Sequence, residues 1–377
     1  MSSAARPETG SRTNSARRKW VRRALGAALT LATAACEPRS PPTATVVSAV
    51  EAGILPRSAT IRGRDGSSSA LAFGRSVWTY GDTVLHAPDA EGENWHTNSF
   101  GVARTLSWTD GFDEPVDAVG APRYFVDRTD EEIAWDQAHA AQDCATPPCG
   151  VRWAIWPSQP LFDESNGTAW VLYGLYNDAQ PSGIGIARWT GLDQPVERLR
   201  VGDSWLLFPR GEPEYANAAT VYEGHLYAFG CTLDFLTRHC SLARVPLDHA
   251  ADRSAWTFFD GRDWASDHRL ARTLFDGGSI MSVGWSETFS SWLLVYSPPL
   301  DQGVYLRSAP ELAGPWSDAT LLLHVDGDPP YDAQHHPEMA ERGGAVQYLT
   351  YSRPNGGGLF ASEHAVWRIE LAPSGSP

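Results

Sequence analysis

The stretch Ala169-Trp170-Val171-Leu172-Tyr173-Gly174, answered after a loop by Ile184-Gly185-Ile186-Ala187-Arg188-Trp189, is an apolar, aromatic β-hairpin, and the chain repeats it. The first strand recurs as Val77-Trp78-Thr79-Tyr80-Gly81-Asp82, His225-Leu226-Tyr227-Ala228-Phe229-Gly230, Ser291-Trp292-Leu293-Leu294-Val295-Tyr296-Ser297 and Ala345-Val346-Gln347-Tyr348-Leu349-Thr350-Tyr351-Ser352. Its partner recurs as Phe100-Gly101-Val102-Ala103-Arg104, Cys240-Ser241-Leu242-Ala243-Arg244-Val245, Val304-Tyr305-Leu306-Arg307-Ser308 and Leu359-Phe360-Ala361-Ser362. β-Branched and aromatic residues in short runs, bounded by Gly, Pro, Asp and Asn, are what strands and their turns require.

The hairpins begin near 77, 169, 225, 291 and 345, so the period is too long for the strand spacing of a β-sandwich. It matches radial repetition, in which each unit is one sheet. Ahead of each hairpin lies a further short segment, at 67–73, 151–157, 215–222, 279–285 and 336–340. These are expected to be the innermost strands, whose polar residues would face a shared channel. The predicted fold is therefore an all-β, five-bladed β-propeller over 58–372. The long first step carries an insertion over 110–148.

The amino terminus has Arg17, Arg18, Lys19, Arg22 and Arg23, an apolar run over 24–35, and Cys36. That is the layout of a secretory signal, and the run is too short to span a bilayer. Ala32-Thr33-Ala34-Ala35-Cys36 resembles a lipoprotein lipobox with Thr33 where Leu is usual, so Cys36 is a candidate lipidation site; the alternative is an ordinary signal that leaves a spare thiol. Residues 15–20 also loosely resemble a twin-arginine export signal. The remaining cysteines form local pairs, Cys144 with Cys149 and Cys231 with Cys240, as suits disulfides in an oxidising compartment. Residues 37–57, rich in Ser, Pro, Thr and Ala at their start, read as a flexible tether. The expected location is exported, lipid-anchored at a bacterial envelope or secreted, with the anchor the only membrane contact.

Of 30 basic and 45 acidic residues, the first 36 residues hold seven and one, which leaves 23 against 44. So acidic a chain excludes nucleic acid as a partner. No lysine follows Lys19, which removes Schiff-base chemistry and a phosphate-binding P-loop lysine. A monomer is expected.

Gly63-Arg64-Asp65-Gly66-Ser67, Val77 to Thr83, Gly314-Pro315-Trp316-Ser317, His336-Pro337-Glu338-Met339 and Tyr348 to Ser352, taken in order, resemble a bacterial domain-of-unknown-function family of five-bladed propellers that includes endo-D-arabinanases. The resemblance implies a funnel in which inner-strand carboxylates meet a carbohydrate polymer. It makes Asp65 the candidate base or nucleophile, Glu214 the candidate acid and Asp82 a further catalytic candidate. Glycoside cleavage needs one protonated and one ionised carboxyl. Related propellers carry a third acid on the second unit, where this chain has Trp153-Ala154-Ile155-Trp156-Pro157 instead. Trp153 and Trp156 are then candidate sugar platforms.

Each of these residues also has a plainer reading. Asp65 before Gly66 can close an Asx-turn, Asp82 can bond its own turn through Thr83, and Glu214 can be a solvated loop residue. His335, His336 and Glu338 form the densest polar cluster near a channel and are candidate substrate contacts. Adjacent strand residues face opposite ways, so only one of the two histidines can face the channel. No cofactor is expected, save a water or calcium ion at the channel axis. Two functions follow: an arabinanase-like glycoside hydrolase tethered at the surface, or a non-catalytic propeller that binds carbohydrate or protein.

Overall fold

A computed structural model of the chain describes residues 43–139, 152–177, 180–358 and 360–374. Five antiparallel sheets follow one another in sequence order. The first contains Ser68–Ala72, Arg75–Tyr80, Ser99–Ala103 and Phe112–Asp113, and the second is led by Trp153–Pro157 and Leu161–Asp163, both paired to Thr168–Asn177, with Gln180–Trp189 beyond. The third runs through Glu214–Tyr222, His225–Asp234, Thr237–Pro246 and Thr257–Phe259, and the fourth through Met281–Ser286, Ser291–Tyr296, Gly303–Ala309 and Thr320–His324. The fifth orders Tyr331–His335, Val346–Pro354, Ser362–Pro373 and, last, Ala44–Ile54 from the beginning of the chain. A small sheet of Ile61–Arg64, Thr83–Leu85 and Trp95–His96 stands beside them.

The side-chain period of two explains how the sheets join. Ser291–Tyr296 is buried along its whole length. Leu293 and Val295 pack with the fifth sheet, in the cluster that holds Leu349 and Ile369. Trp292, Leu294 and Tyr296, on the other face, pack with Phe229 and Leu242 of the third. Thr168–Asn177 behaves likewise: Ala169, Val171 and Tyr173 meet Val77 and Val102 of the first sheet, and Trp170 and Leu172 meet Leu226 and Ala228 of the third. Trp78, Tyr80 and Phe112 of the first sheet share a cluster with Val366 of the fifth. Every neighbouring pair, last and first included, thus shares an apolar core, and the sheets close into a β-propeller. The hairpins read in the sequence are the central strands of these sheets.

Three boundaries differ from expectation. The supposed tether over 37–57 is not one throughout, because Ala44–Ile54 pairs antiparallel with Ser362–Pro373 and finishes the fifth sheet. Its Val46, Ala49 and Ala44 pack onto that core, which the Ser/Pro-rich start of the segment had masked. The innermost strand of the fifth sheet is Tyr331–His335 and not 336–340. Pro337 opens a 3-10 turn, Pro337–Met339, since it has no N–H to give a ladder. The last strand begins at Ser362, so Phe360 and Ala361 lie ahead of it.

Cys231 and Cys240 form a disulfide, facing each other across two paired strands. The signal segment, Cys36, Cys144 and Cys149 lie outside the described residues. Among the described residues no helix is long and apolar enough to cross a membrane.

Candidate active site

Asp65 comes directly after Ile61–Arg64 and just before the innermost strand of the first sheet. Its backbone N–H donates to the carbonyl of Asp82 (3.0 Å), and its own carbonyl accepts from Gly81 (2.9 Å), so the two aspartates are locked side by side. A Cβ on Gly81 would meet Asp65 Oδ1 at 2.5 Å; only glycine leaves room for that carboxyl. Beneath them Arg64, buried, stacks on Tyr80 at 3.5 Å and pairs with Glu114 at 2.5 Å. Asp65 and Asp82 line a cleft of about 430 Å³ with Trp95, Tyr331, Arg353 and Phe360.

Both carboxyls are pushed above the ordinary range. For Asp65 the cause is burial, followed by the charges of Asp82 and Asp332, and the rise is large. For Asp82 it is burial, opposed by neighbouring donors. One of these is the Trp156 indole, whose Nε1 donates to Asp82 Oδ1 at 3.2 Å. The turn reading of Asp82 does not hold, because Thr83 Oγ1 donates instead to the Gly81 carbonyl.

Trp156 reaches Asp82 because Trp153–Pro157 alternates faces, and its ring lies 4.2 Å from that of Tyr176. Trp153, on the other face, packs edge-on against Trp135 of the helix Asp130–His139, with 6.2 Å between ring centres. Its expected role as a sugar platform is not what this packing provides.

Glu214 opens the innermost strand of the third sheet and does not line the cleft; its Oε2 accepts from Arg238 Nη1 at 3.0 Å. The sequence reading passed over what lies between, namely Arg238, Tyr176, Tyr331 and Asp332. Asp332 is buried, at 6% exposure, in the left-handed region with φ +53°. That conformation costs a non-glycine residue on the order of 1 kcal/mol, and such strain collects at functional sites. Burial raises its carboxyl to about 7, against the pull of Arg238 and a hydrogen bond with Tyr331. The Tyr331 hydroxyl is raised in turn by Asp332, Asp65, its own burial and Asp82. Asp332 is thus a further buried acid whose charge acts on Asp65, and it comes from the fifth sheet. The signal was its position: like Asp65 and Glu214, it stands at the start of an innermost strand.

The histidines sit apart from this cleft. His336 Nδ1 hydrogen-bonds Ser69 Oγ (2.7 Å), its Nε2 hydrogen-bonds Thr350 Oγ1 (2.9 Å), and its ring stacks on Trp78 at 4.0 Å. His335 Nδ1 meets Ser282 Oγ at 2.6 Å, and burial lowers this ring to about 3. Both are buried and neutral, tying the fifth sheet to the first and fourth, and neither is exposed to a substrate. With both nitrogens engaged, His336 has no lone pair to give an axial ion. Glu338 lines a different cavity, at the trailing ends of the innermost strands, where burial pushes its carboxyl up. Among the described residues one cluster, Asp89, Glu93 and His96, brings three potential metal ligands within 4.8 Å. There Asp89 Oδ2 bonds His96 Nε2 at 2.8 Å, and both oxygens of Glu93 accept from Arg128 Nη2, which occupies the ligand atoms with protein partners.

Residues 182–356, just under half of the chain, match the model of a family described as Domain of unknown function (DUF4185). No curated protein matches the chain in sequence. Among solved structures, a Bacteroides ovatus protein assigned provisionally as a hydrolase is similar with a TM-score of 0.57 at 15% identity, over 84% of this chain and 87% of its own. The exo-β-1,3-galactanase of Phanerochaete chrysosporium is similar with a TM-score of 0.52 at 10% identity, over 87% of this chain and 67% of its own. That of Clostridium thermocellum gives 0.50 at 10%, over 84% and 62%. The fold is thus that of glycoside-hydrolase propellers.

Proposed function

We propose that the cleft between Asp65 and Asp82 is the active site of a glycoside hydrolase acting on an extracellular or envelope polysaccharide, arabinan-like in type. The observation that carries this is the pair itself: two carboxyls, backbone-linked, both raised by burial and Asp65 further by the charge of Asp82, opening into a cleft walled by aromatic side chains. Acids so raised keep a proton in a range where isolated carboxyls would both be ionised. The N–H of Trp156 favours leaving the charge on Asp82, which assigns the proton to Asp65. In this reading Asp65 protonates the leaving glycosidic oxygen while the Asp82 carboxylate acts on the anomeric carbon or on its water. The role given to Asp65 from the sequence, base or nucleophile, is thereby exchanged. Glu214, engaged by Arg238, positions and does not donate.

The Cys231–Cys240 disulfide supports an oxidising, exported location; lipid attachment through Cys36 rests on the lipobox-like sequence alone. The test is a screen of the purified protein on arabinan, galactan, xylan and bacterial envelope arabinogalactan, with new reducing ends as readout. Wild type is expected to release them, and Asp65→Asn and Asp82→Asn to lose at least 100-fold. Binding without release from any glycan would give the funnel to the second reading, a non-catalytic carbohydrate-binding propeller.

A further inference from the structure

The innermost strands have two ends. Asp65, Glu214 and Asp332 stand where those strands begin; a second cavity, of about 690 Å³, opens where they finish. Its wall takes residues from all five sheets, among them Leu71, Phe162, Tyr222, Trp285, Gln334 and Glu338. Tyr222 and Trp285 are 43% and 46% exposed. Both rings are braced edge-on against the buried Trp292, at 5.2 and 5.6 Å. Large aromatic surfaces kept half in water, on a rigid support and at a cavity mouth, have a face free for a partner.

The polar groups in this cavity are few and incompletely used. Gln334, 1% exposed, has an amide Nε2 without a hydrogen-bond partner, an uncommon state for a buried donor. On Glu338 the hydroxyls of Ser69 (2.5 Å) and Ser76 (2.7 Å) both donate to Oε1. Oε2 has no side-chain donor among the described residues. An unpartnered donor beside a carboxyl oxygen that no side chain engages is what a hydroxyl group completes, since it accepts one hydrogen bond and donates another. No arginine, lysine or histidine lines the cavity, so it offers no counter-charge to a phosphate or a carboxylate.

We infer that this cavity is a second carbohydrate site, which takes a neutral sugar residue stacked on Trp285 and Tyr222 with one hydroxyl bridging Gln334 Nε2 and Glu338 Oε2. It lies at the far end of the channel from the acid cleft and needs no catalysis there. Its use would be to hold the protein on a polysaccharide.

The test is retention of the full-length protein in native gels cast with arabinan, galactan, xylan or envelope arabinogalactan. Asp65→Asn protein serves as the background, so that cleavage does not interfere. Trp285→Ala and Tyr222→Ala, both at half-exposed positions, are expected to weaken retention at least tenfold on the glycan that retards the parent. Gln334→Leu is expected to do so with the aromatics intact, and Trp285→Phe to restore most of the effect. Initial rates on a short soluble oligosaccharide should not move in Trp285→Ala protein carrying Asp65. Undiminished retention in both aromatic variants would overturn the inference, as would failure of every glycan to retard the parent. Loss of retention beside absent hydrolysis in wild type would uphold it while refuting the hydrolase.

Discussion

Replacing Asp332 by asparagine tests the electrostatics of the cleft with little steric disturbance. Asparagine has the same shape and also tolerates a φ of +53°, so backbone strain is unchanged. Burial raises the carboxyl from 3.8 to about 7. At low pH both the folded and unfolded chains carry a neutral Asp332, and no penalty exists. As pH rises through about 4 the unfolded chain ionises while the folded one still holds its proton, so stability falls until about pH 7 and then stays lowered. The full cost is roughly 4 kcal/mol. It is an upper bound on what Asp332→Asn recovers, since the variant loses the attraction of Arg238. Urea unfolding of both proteins at pH 5 and pH 8 measures it. The stability difference should move in favour of the variant by about 2–3 kcal/mol between those pH values. A difference that is equal at both would refute the buried, late-ionising Asp332. Removing a negative neighbour also eases ionisation of Asp65, so the basic limb of the pH–rate profile should shift to lower pH in the variant.

Gly81→Ala places a methyl group 2.5 Å from Asp65 Oδ1 and should reduce hydrolysis more than tenfold with only about 1 kcal/mol lost from stability, read by rates beside thermal melts. Replacing Cys231 and Cys240 together by serine opens a short loop in a buried pair and should cost about 2–3 kcal/mol in denaturant unfolding. Deleting residues 1–54 removes the outer strand of the fifth sheet and bares an edge beside Ile369 and Leu371; lower thermal stability and aggregation should follow, seen by light scattering.

The propeller was legible because its sheets are built on strands buried on both faces, and Ser291–Tyr296 and Thr168–Asn177 stand out as aromatic and aliphatic runs between turns. The fifth unit was read five residues late: a positive φ at Asp332 and the irregular pairing between Tyr331 and Gln334 break the alternation that marks a strand. The closing strand Ala44–Ile54 escaped for a different reason, since its partner is more than 300 residues away and half of its side chains face water. At the site, Asp65, Asp82 and Trp156 were nameable one by one. Their alliance with Tyr331, Arg238 and Asp332 was not, because it arises where strands from different sheets converge. The histidines misled for the same reason: as a dense polar motif they suggested a substrate contact, whereas Ser69, Thr350 and Ser282 satisfy them inside the fold.

The most direct measurement is a crystal structure of Asp65→Asn protein with an oligosaccharide of the glycan that wild type cleaves. The account predicts a sugar in the cleft against Trp95 and Tyr331, with the glycosidic oxygen within hydrogen-bond reach of residue 65 and Asp82 beside the anomeric carbon. An oligosaccharide bound with its scissile bond away from both residues, while the acid cleft holds only water, would contradict it.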